Sequence, residues 1–196
     1  YLLPLLIGGF RKKYPGIQVT LRVAGSGQVF QWLREREIDI GVTGSAVSGN
    51  WLNCRPWLAD ELVLIAPPDH PWTGRDAVGI KEMVEEPFIL REAGSGTRRS
   101  FEQIVSLAGV DPARINLSME LGSTRAIITA VQAGLGVSVV SGWAARDALD
   151  LGKIKRINSP VDMKRTLYLV TGRHSLDSSV ADEFLAFIGD EENYGR

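Results

Sequence analysis

Apolar side chains follow two different periods along the first part of the chain. Residues 1–14 carry them three to four positions apart, which predicts an amphipathic helix. Residues 17–23 alternate apolar and polar side chains, which predicts a strand. A second helix over 26–36 and a second strand over 38–42 follow. Because helices and strands alternate, residues 1–44 predict βαβ units around a largely parallel sheet.

A proline-rich stretch interrupts the pattern after the apolar strand 61–66. Residues 67–71 contain three prolines, which cannot continue a sheet, so we expect the chain to leave a first lobe there. The elements predicted beyond it are helix 80–86, strand 87–92, helix 98–108, strand 115–121, helix 124–133, a strand at 137–140, strand 166–171 and a last helix at about 178–188. The pattern therefore predicts one α/β lobe of residues 1–66 and 167–196, and a second of residues 67–166, joined by two crossing segments.

Hydroxyl-bearing and glycine-rich turns stand where several predicted strands end. They lie at residues 25–27, 43–44, 94–97 and 122–124. Ligands of open α/β sheets bind beyond the carboxyl ends of strands, and a helix that begins there directs unpaired N–H groups at an anion. The turn at 94–97 has two interpretations, an anion-binding turn or an ordinary βα turn with Ser95 or Thr97 as the helix N-cap. The recurrence of such turns favours a binding site.

The sequence lacks the patterns of common catalytic and cofactor sites. Arg99 stands where a dinucleotide fingerprint needs its third glycine, and no P-loop occurs. The two histidines, His70 and His174, have no metal-ligand spacing to Cys54, and no Gly-x-Ser-x-Gly elbow occurs. We therefore predict no catalytic residues, no metal site and no cofactor, and we expect a protein that is not an enzyme.

Positive and negative charges are nearly balanced. The 196 residues include 22 basic and 23 acidic side chains, for a formal net charge of −1. This balance provides no basic stripe for nucleic acid, so we expect that the chain does not bind DNA by itself. The single cysteine cannot form an internal disulfide, which fits a reducing compartment. No apolar run reaches the roughly 18–20 residues that a membrane span needs, so no membrane partner is expected.

Several stretches, taken in order, resemble the effector-binding domain of LysR-type transcriptional regulators. They are "FRKKYPGIQVTLRVAGSGQ", "REIDIGVTG", "ELVLIAPPDHPW", "FILREAGSGTRRSFEQ" and "LGSTRAIITAVQAGLGVSVVS". The resemblance covers nearly the whole chain in the family's order. It implies an α/β fold of the type 2 periplasmic-binding-protein kind, with two lobes, two crossing segments and a ligand cleft between the lobes.

The resemblance also implies which residues bind the effector. The positions that it carries over are Ser26, Thr43, Ser95, Gly96, Thr97, Ser123 and Thr124. Ser123 and Thr124 have capping of their own helix as an alternative. For Arg98, Arg99 and Arg125 the alternative to ligand contact is a surface position or pairing with a carboxylate.

The function that the resemblance implies is that of a cytoplasmic sensor in a bacterial regulator. A small anionic metabolite is the expected effector, and a homodimer or homotetramer is the expected assembly, with DNA bound only through an N-terminal winged helix-turn-helix domain absent from this chain. The family's first strand would likewise precede Tyr1. A solute-binding protein of a transporter with the same fold is the alternative, which a helix-turn-helix or a signal peptide upstream would decide. An enzyme ranks third because no catalytic constellation is found.

Overall fold

The computed structural model describes residues 2–173, 179–190 and 193, so His174 lies outside the described residues. The elements in chain order are α1 (Leu2–Lys13), α2 (Ser26–Arg34), β1 (Ile40–Thr43), β2 (Leu52–Ala66), α3 (Ile80–Met83), β3 (Phe88–Arg91), α4 (Gly96–Leu107), a 3₁₀ turn (Pro112–Arg114), β4 (Leu117–Leu121), α5 (Thr124–Gln132), β5 (Ser138–Ser141), α6 (Gly142–Asp150), β6 (Lys155–Ile157), β7 (Lys164–Gly172) and α7 (Ser179–Gly189). Within the described residues, no helix combines the length and the apolar character needed to cross a membrane.

The chain divides into two compact units. Unit 1 consists of Tyr1–Leu58 and Thr166–Arg196, and unit 2 consists of Ala59–Arg165. The first change of unit therefore falls inside strand β2, earlier than the proline-rich stretch at which the sequence analysis expects it. Strand β2 itself carries the chain from unit 1 into unit 2. The prolines that follow it end the strand inside unit 2.

Unit 1 packs helices against a small antiparallel arrangement of strands. β1 pairs antiparallel with β7, so that Thr43 lies opposite Tyr168. In α1 the buried face ends at Phe10, whose ring meets those of Phe184 and Phe187 edge-on at 5.0 and 5.5 Å. Helix α1 is thereby held against α7 by aromatic contacts.

The strand predicted at 17–23 is not formed. Residues 17–25 have no regular secondary structure, and Val23 is 87% exposed. Alternation alone does not make a strand, because a strand needs a hydrogen-bonded neighbour, and no strand of the described chain pairs with this segment. The parallel sheet predicted from residues 1–44 is wrong for the same reason, since β1 takes its partner from β7.

Unit 2 is organised around the apolar half of β2. β5 and β6 both pair antiparallel with it, and β3 pairs in parallel with β4. Alternate side chains of β2 enter two separate apolar clusters, with Leu62 and Leu64 in one and Val63 and Ile65 in the other. The first cluster includes Phe101 of α4, and the second includes residues of α5 and α6. Both faces of the strand are therefore covered by helices.

Candidate functional site

The turn between β3 and α4 has a backbone conformation that favours glycine at position 94. Gly94 adopts a φ of 91°, in the left-handed region that favours glycine. The N–H of Ser95 then donates to the carbonyl of Glu92 at 3.1 Å. Helix α4 starts at the next residue, Gly96, which is buried. Gly96 thus begins the helix without adding a side chain at its N-terminus.

The hydroxyl groups of this turn do not cap the helix. Ser95 occupies the N-cap position of α4, yet its side chain accepts no hydrogen bond from the first turn. The Thr97 hydroxyl accepts a hydrogen bond from Nη1 of Arg165 at 3.1 Å instead. Ser95 is therefore the N-cap residue by position, as one interpretation of the sequence has it, but neither hydroxyl caps the helix.

Ser95 is the more enclosed of the two residues. It is 2% exposed, and no hydrogen bond of its hydroxyl occurs among the described residues. Since no fully enclosed side-chain oxygen or nitrogen of the described chain lacks a partner, the Ser95 hydroxyl retains an opening to solvent. A hydroxyl in such a position can exchange water for an acceptor on a ligand.

Arg165 belongs to a buried network in unit 2. Its Nε and Nη2 both lie 2.7 Å from Oδ2 of Asp60. The side chain of Asp60 is fully buried, and that of Arg165 is 10% exposed. The Ser141 hydroxyl donates to Oδ1 of Asp60 at 2.8 Å. This network links Thr97 to strands β2, β5 and β7.

A second turn of the predicted site precedes α5. Ser123 caps that helix, since its hydroxyl accepts from the N–H of Ala126 at 3.5 Å, which supports the capping alternative for this residue. The Thr124 hydroxyl instead accepts a hydrogen bond from Nη1 of Arg91 at 2.8 Å. Arg91 is also paired with Glu92 at 2.7 Å.

The two turns meet at one edge of unit 2. β3 and β4 are parallel neighbours, and their last residues, Arg91 and Leu121, lie opposite each other. The carboxyl ends of the two strands therefore share an edge, from which α4 and α5 start. Arg98 of α4 joins the two sides, because its Nη1 donates both to the carbonyl of Arg91 in β3 at 3.2 Å and to the carboxylate of Glu120 in β4 at 2.5 Å. We call this region, formed by residues 94–97 and 122–124, the β3–β4 edge.

Two arginines at the β3–β4 edge are neutralised by carboxylates. Arg98 contacts Glu102 at 2.7 Å and Glu120 at 2.5 Å, and the hydrogen bond to Glu102 is the main cause that raises the pKa of Arg98. Burial opposes ionisation of Glu92, but hydrogen bonds led by that from Arg91 outweigh it and lower the pKa of Glu92. For Arg98, the pairing alternative from the sequence is thus the observed arrangement, and Arg91 is paired in the same way.

Two other arginines at this edge have no such neighbour. Arg99 and Arg125 are exposed, and neither forms an ion pair within the described part of the chain. Both lie in the first turn of a helix, where the macrodipole disfavours positive charge. Arg99 also donates to the carbonyl of Gly94 at 3.2 Å. An anion bound at the edge would relieve the repulsion of these guanidinium groups.

The remaining predicted residues belong to unit 1. Ser26 is the first residue of α2 and is 6% exposed. Thr43 is the last residue of β1 and is 3% exposed, and its hydroxyl donates to the carbonyl of Ser45 at 3.0 Å. The structure therefore gathers Ser95, Gly96, Thr97, Ser123 and Thr124 at one edge of unit 2, and Ser26 and Thr43 separately in unit 1.

The charged residues that hold the Thr97 hydroxyl could not be recognised in the sequence. Asp60 and Arg165 are 105 positions apart, and neither stands in a recognisable motif. The one available signal was a carboxylate directly before the apolar run 61–66, where a charge needs a partner. Among the described residues, no group of three or more histidine, cysteine or carboxylate side chains is arranged to hold a metal ion.

Known proteins similar to this chain form a consistent set. The family described as the LysR substrate binding domain matches residues 1–193. A probable RuBisCO transcriptional regulator of Cyanidioschyzon merolae is 35% identical over 188 residues, covering 94% of this chain and 62% of that protein. The transcriptional activator CmpR of Synechocystis is 31% identical over 196 residues, covering 96% and 61%. The chain thus spans about three fifths of the length of these relatives.

Solved structures agree with the sequence relatives. The regulatory domain of Synechocystis CcmR in complex with 2-PG has a TM-score of 0.86 and 31% identity, over 96% of this chain and 90% of that one. The effector-binding domain of QuiR in complex with shikimate, at 16% identity and a TM-score of 0.83 over 96% and 88%, has the same fold. The predicted type 2 periplasmic-binding-protein fold is therefore confirmed. The chain belongs to the LysR substrate-binding domain family, the ligand-sensing regulatory domains of LysR-type transcriptional regulators.

Proposed function

We propose that this chain senses a small anionic effector, which binds at the β3–β4 edge of unit 2. The observation that carries the proposal is the state of two hydroxyl groups. Thr97 and Thr124 each accept an arginine N–H through the side-chain oxygen. A hydroxyl has one proton to donate, so each threonine keeps that proton for an acceptor on a ligand.

Other donors at the edge support an anion rather than a cation. The Ser95 hydroxyl has no partner among the described residues. The first N–H groups of α4 have no acceptor within the helix, and its dipole is positive at this end. Gly96 adds no side chain at this end of the helix. All these groups donate, which matches the oxygens of a carboxylate or another oxyanion.

The strength of such a site is sufficient for a metabolite sensor. Hydrogen bonds to a charged group contribute about 1.5–3 kcal/mol each before the costs of association. Micromolar affinity corresponds to about 8 kcal/mol. Several donors, from Ser95, Thr97, Thr124 and the start of α4, can reach this range without a cofactor.

Ser26, Thr43, and the location of the effector in a cleft between lobes stay predictions of the resemblance. The effector also stays a proposal at the level of its chemical class. The complex of the CcmR domain with 2-PG makes 2-PG the first probe. Inorganic sulfate and small carboxylic acids are the further probes, because they share the oxyanion that the edge would recognise.

Isothermal titration with these probes tests the site. Thr97→Val and Thr124→Val each remove one hydroxyl while preserving the side-chain shape, and each should raise the Kd about tenfold, equal to about 1.4 kcal/mol. Thr129→Val is the matched control, since the Thr129 hydroxyl bonds only to its own helix at the carbonyl of Arg125. An effector whose affinity ignores both site substitutions would contradict the proposal.

For the longer protein we propose that effector binding changes the arrangement of a cytoplasmic, DNA-bound homodimer or homotetramer. The relatives are transcriptional regulators, which disfavours the transporter alternative, and an enzymatic activity is likewise not proposed. With a net charge of −1, this chain leaves the DNA contacts to the rest of the protein. An electrophoretic assay in which the chain alone shifts duplex DNA would contradict this assignment.

A further inference from the structure

We infer that the Asp60–Arg165 pair positions the effector-binding hydroxyl of Thr97, an inference that rests on the proposed function. Arg165 reaches Thr97 from strand β7, and Asp60 holds Arg165 from strand β2. Both residues stand where the chain enters and leaves unit 2, whose limits are Ala59 and Arg165. Through this pair, the turn at residues 94–97 is connected to both β2 and β7.

The geometry leaves Arg165 little freedom. Nε and Nη2 are both engaged by one oxygen of Asp60 at 2.7 Å. Because the guanidinium group is planar and rigid, this contact fixes the direction of the third nitrogen, Nη1, which donates to Thr97 at 3.1 Å. Ser141 occupies the other oxygen of Asp60 at 2.8 Å. Both oxygens of Asp60 are therefore engaged, which fixes the orientation of its carboxylate.

The N–H that Arg165 donates determines where the Thr97 hydroxyl can direct its own proton. With one lone pair occupied by Arg165, the hydroxyl proton is directed away from the guanidinium group. It is then available to an acceptor outside the network. Without Arg165, the hydroxyl would rotate among several partners, and a ligand would have to order it at an entropic cost.

Stability alone is a weak explanation for this pair. Buried ion pairs can often be replaced by apolar side chains without loss of stability. A second ion pair, Arg156–Glu61, lies at the adjacent position of β2 but is about half exposed and touches no turn of the site. The two pairs differ in their contact with Thr97, and this difference provides a matched control.

A double-mutant cycle separates positioning from structure. The pair is removed by Asp60→Leu/Arg165→Met, which leaves no buried charge behind, and the Kd for 2-PG is measured with Thr97 present and in the Thr97→Val background. We expect an increase of about tenfold with Thr97 present. The same change should have almost no effect in the Thr97→Val background, because contacts that act as one unit are not additive. The matched control is Glu61→Leu/Arg156→Met, which should leave the Kd unchanged.

An equal loss of affinity for 2-PG with Thr97 present and in the Thr97→Val background would overturn the inference. An unchanged Kd with Thr97 present would overturn it as well. If the double variant does not fold, Arg165→Lys replaces it. Lysine keeps the charge beside Asp60 but lacks the second branch of donors, so the Kd should rise while the melting temperature stays close to that of the parent. A parental Kd for Arg165→Lys would overturn the inference as well.

A ligand-free measurement distinguishes this inference from the proposed function. If the parental chain binds none of the probes, the proposed function fails, and amide hydrogen exchange then decides on positioning. Removal of the pair should accelerate exchange at residues 95–99 about tenfold or more and leave α5 unchanged, because α4 loses a contact in its first turn and α5 loses none. Unchanged exchange at 95–99 would overturn the inference even then.

Discussion

Replacing Arg165 by methionine should reveal how much the buried carboxylate of Asp60 depends on its partner. Asp60 is fully buried and receives both Nε and Nη2 of Arg165. The substitution leaves that carboxylate with the Ser141 hydroxyl alone. Breaking one side of a buried pair costs about 3–5 kcal/mol. At about 2–4 °C per kcal/mol for a chain of this size, the melting temperature should fall by about 6–20 °C.

The double variant should be much more stable than Arg165→Met. Asp60→Leu/Arg165→Met removes the unpaired charge as well, so it should recover stability to within about 1–2 kcal/mol of the parent, as other buried pairs do when both members are replaced. Urea unfolding followed by tryptophan fluorescence measures both variants. Arg156→Met is the control, because its partner Glu61 is 44% exposed and a surface pair contributes at most about 1 kcal/mol. A double variant no more stable than Arg165→Met would refute the argument from an unpaired buried charge.

Three further predictions concern other parts of the fold. Phe101→Ala should lower the free energy of unfolding, measured in urea, by about 3–5 kcal/mol, because the ring is 1% exposed and stacks on Phe88 at 5.0 Å. A loss below about 1 kcal/mol would contradict close packing there. Gly94→Ala should cost about 1–2 kcal/mol, because a φ of 91° is unfavourable for any residue with a Cβ, and circular dichroism melts should show it, whereas an unchanged melt would mean that the turn has other conformations. The hydroxyl of Tyr14 donates to Glu183 at 2.6 Å, and this hydrogen bond raises the pKa of Tyr14 above 10.0. The bond stabilises the fold below that pH and is lost as the pH rises through the folded pKa. A spectroscopic titration of tyrosinate should therefore show one tyrosine that titrates late in the parent and earlier in Glu183→Gln.

The sequence was informative where local signals decide the structure. The helices predicted at 98–108 and 124–133 are found at Gly96–Leu107 and Thr124–Gln132, because each has an apolar face and a small polar turn before it. The strand predicted at 17–23 depends on a neighbour that the described chain does not provide. Local pattern therefore predicts elements well and sheet pairing poorly.

The candidate site divides in the same way. Turn composition led to Ser95, Thr97 and Thr124, which meet at the β3–β4 edge because two parallel strands end together. The arginines that engage the threonines could not be predicted. Arg165 contacts Thr97 across 68 positions and Arg91 contacts Thr124 across 33, and such partners are set by the fold rather than by spacing along the chain.

The division of the chain into a continuous and a discontinuous unit has a consequence for biosynthesis. Unit 2 is one uninterrupted stretch, Ala59–Arg165, whereas unit 1 combines residues made before it with residues made after it. A ribosome therefore completes every residue of unit 2, including the first two of β7, before the rest of β7 and helix α7 exist. The Asp60–Arg165 contact joins the two ends of unit 2, and domains generally fold as units during synthesis. If unit 2 folds early, the start of β7 already lies beside β2 when the rest of unit 1 is made. The two segments of unit 1 then meet without the entropic cost of closing a loop of the length of unit 2.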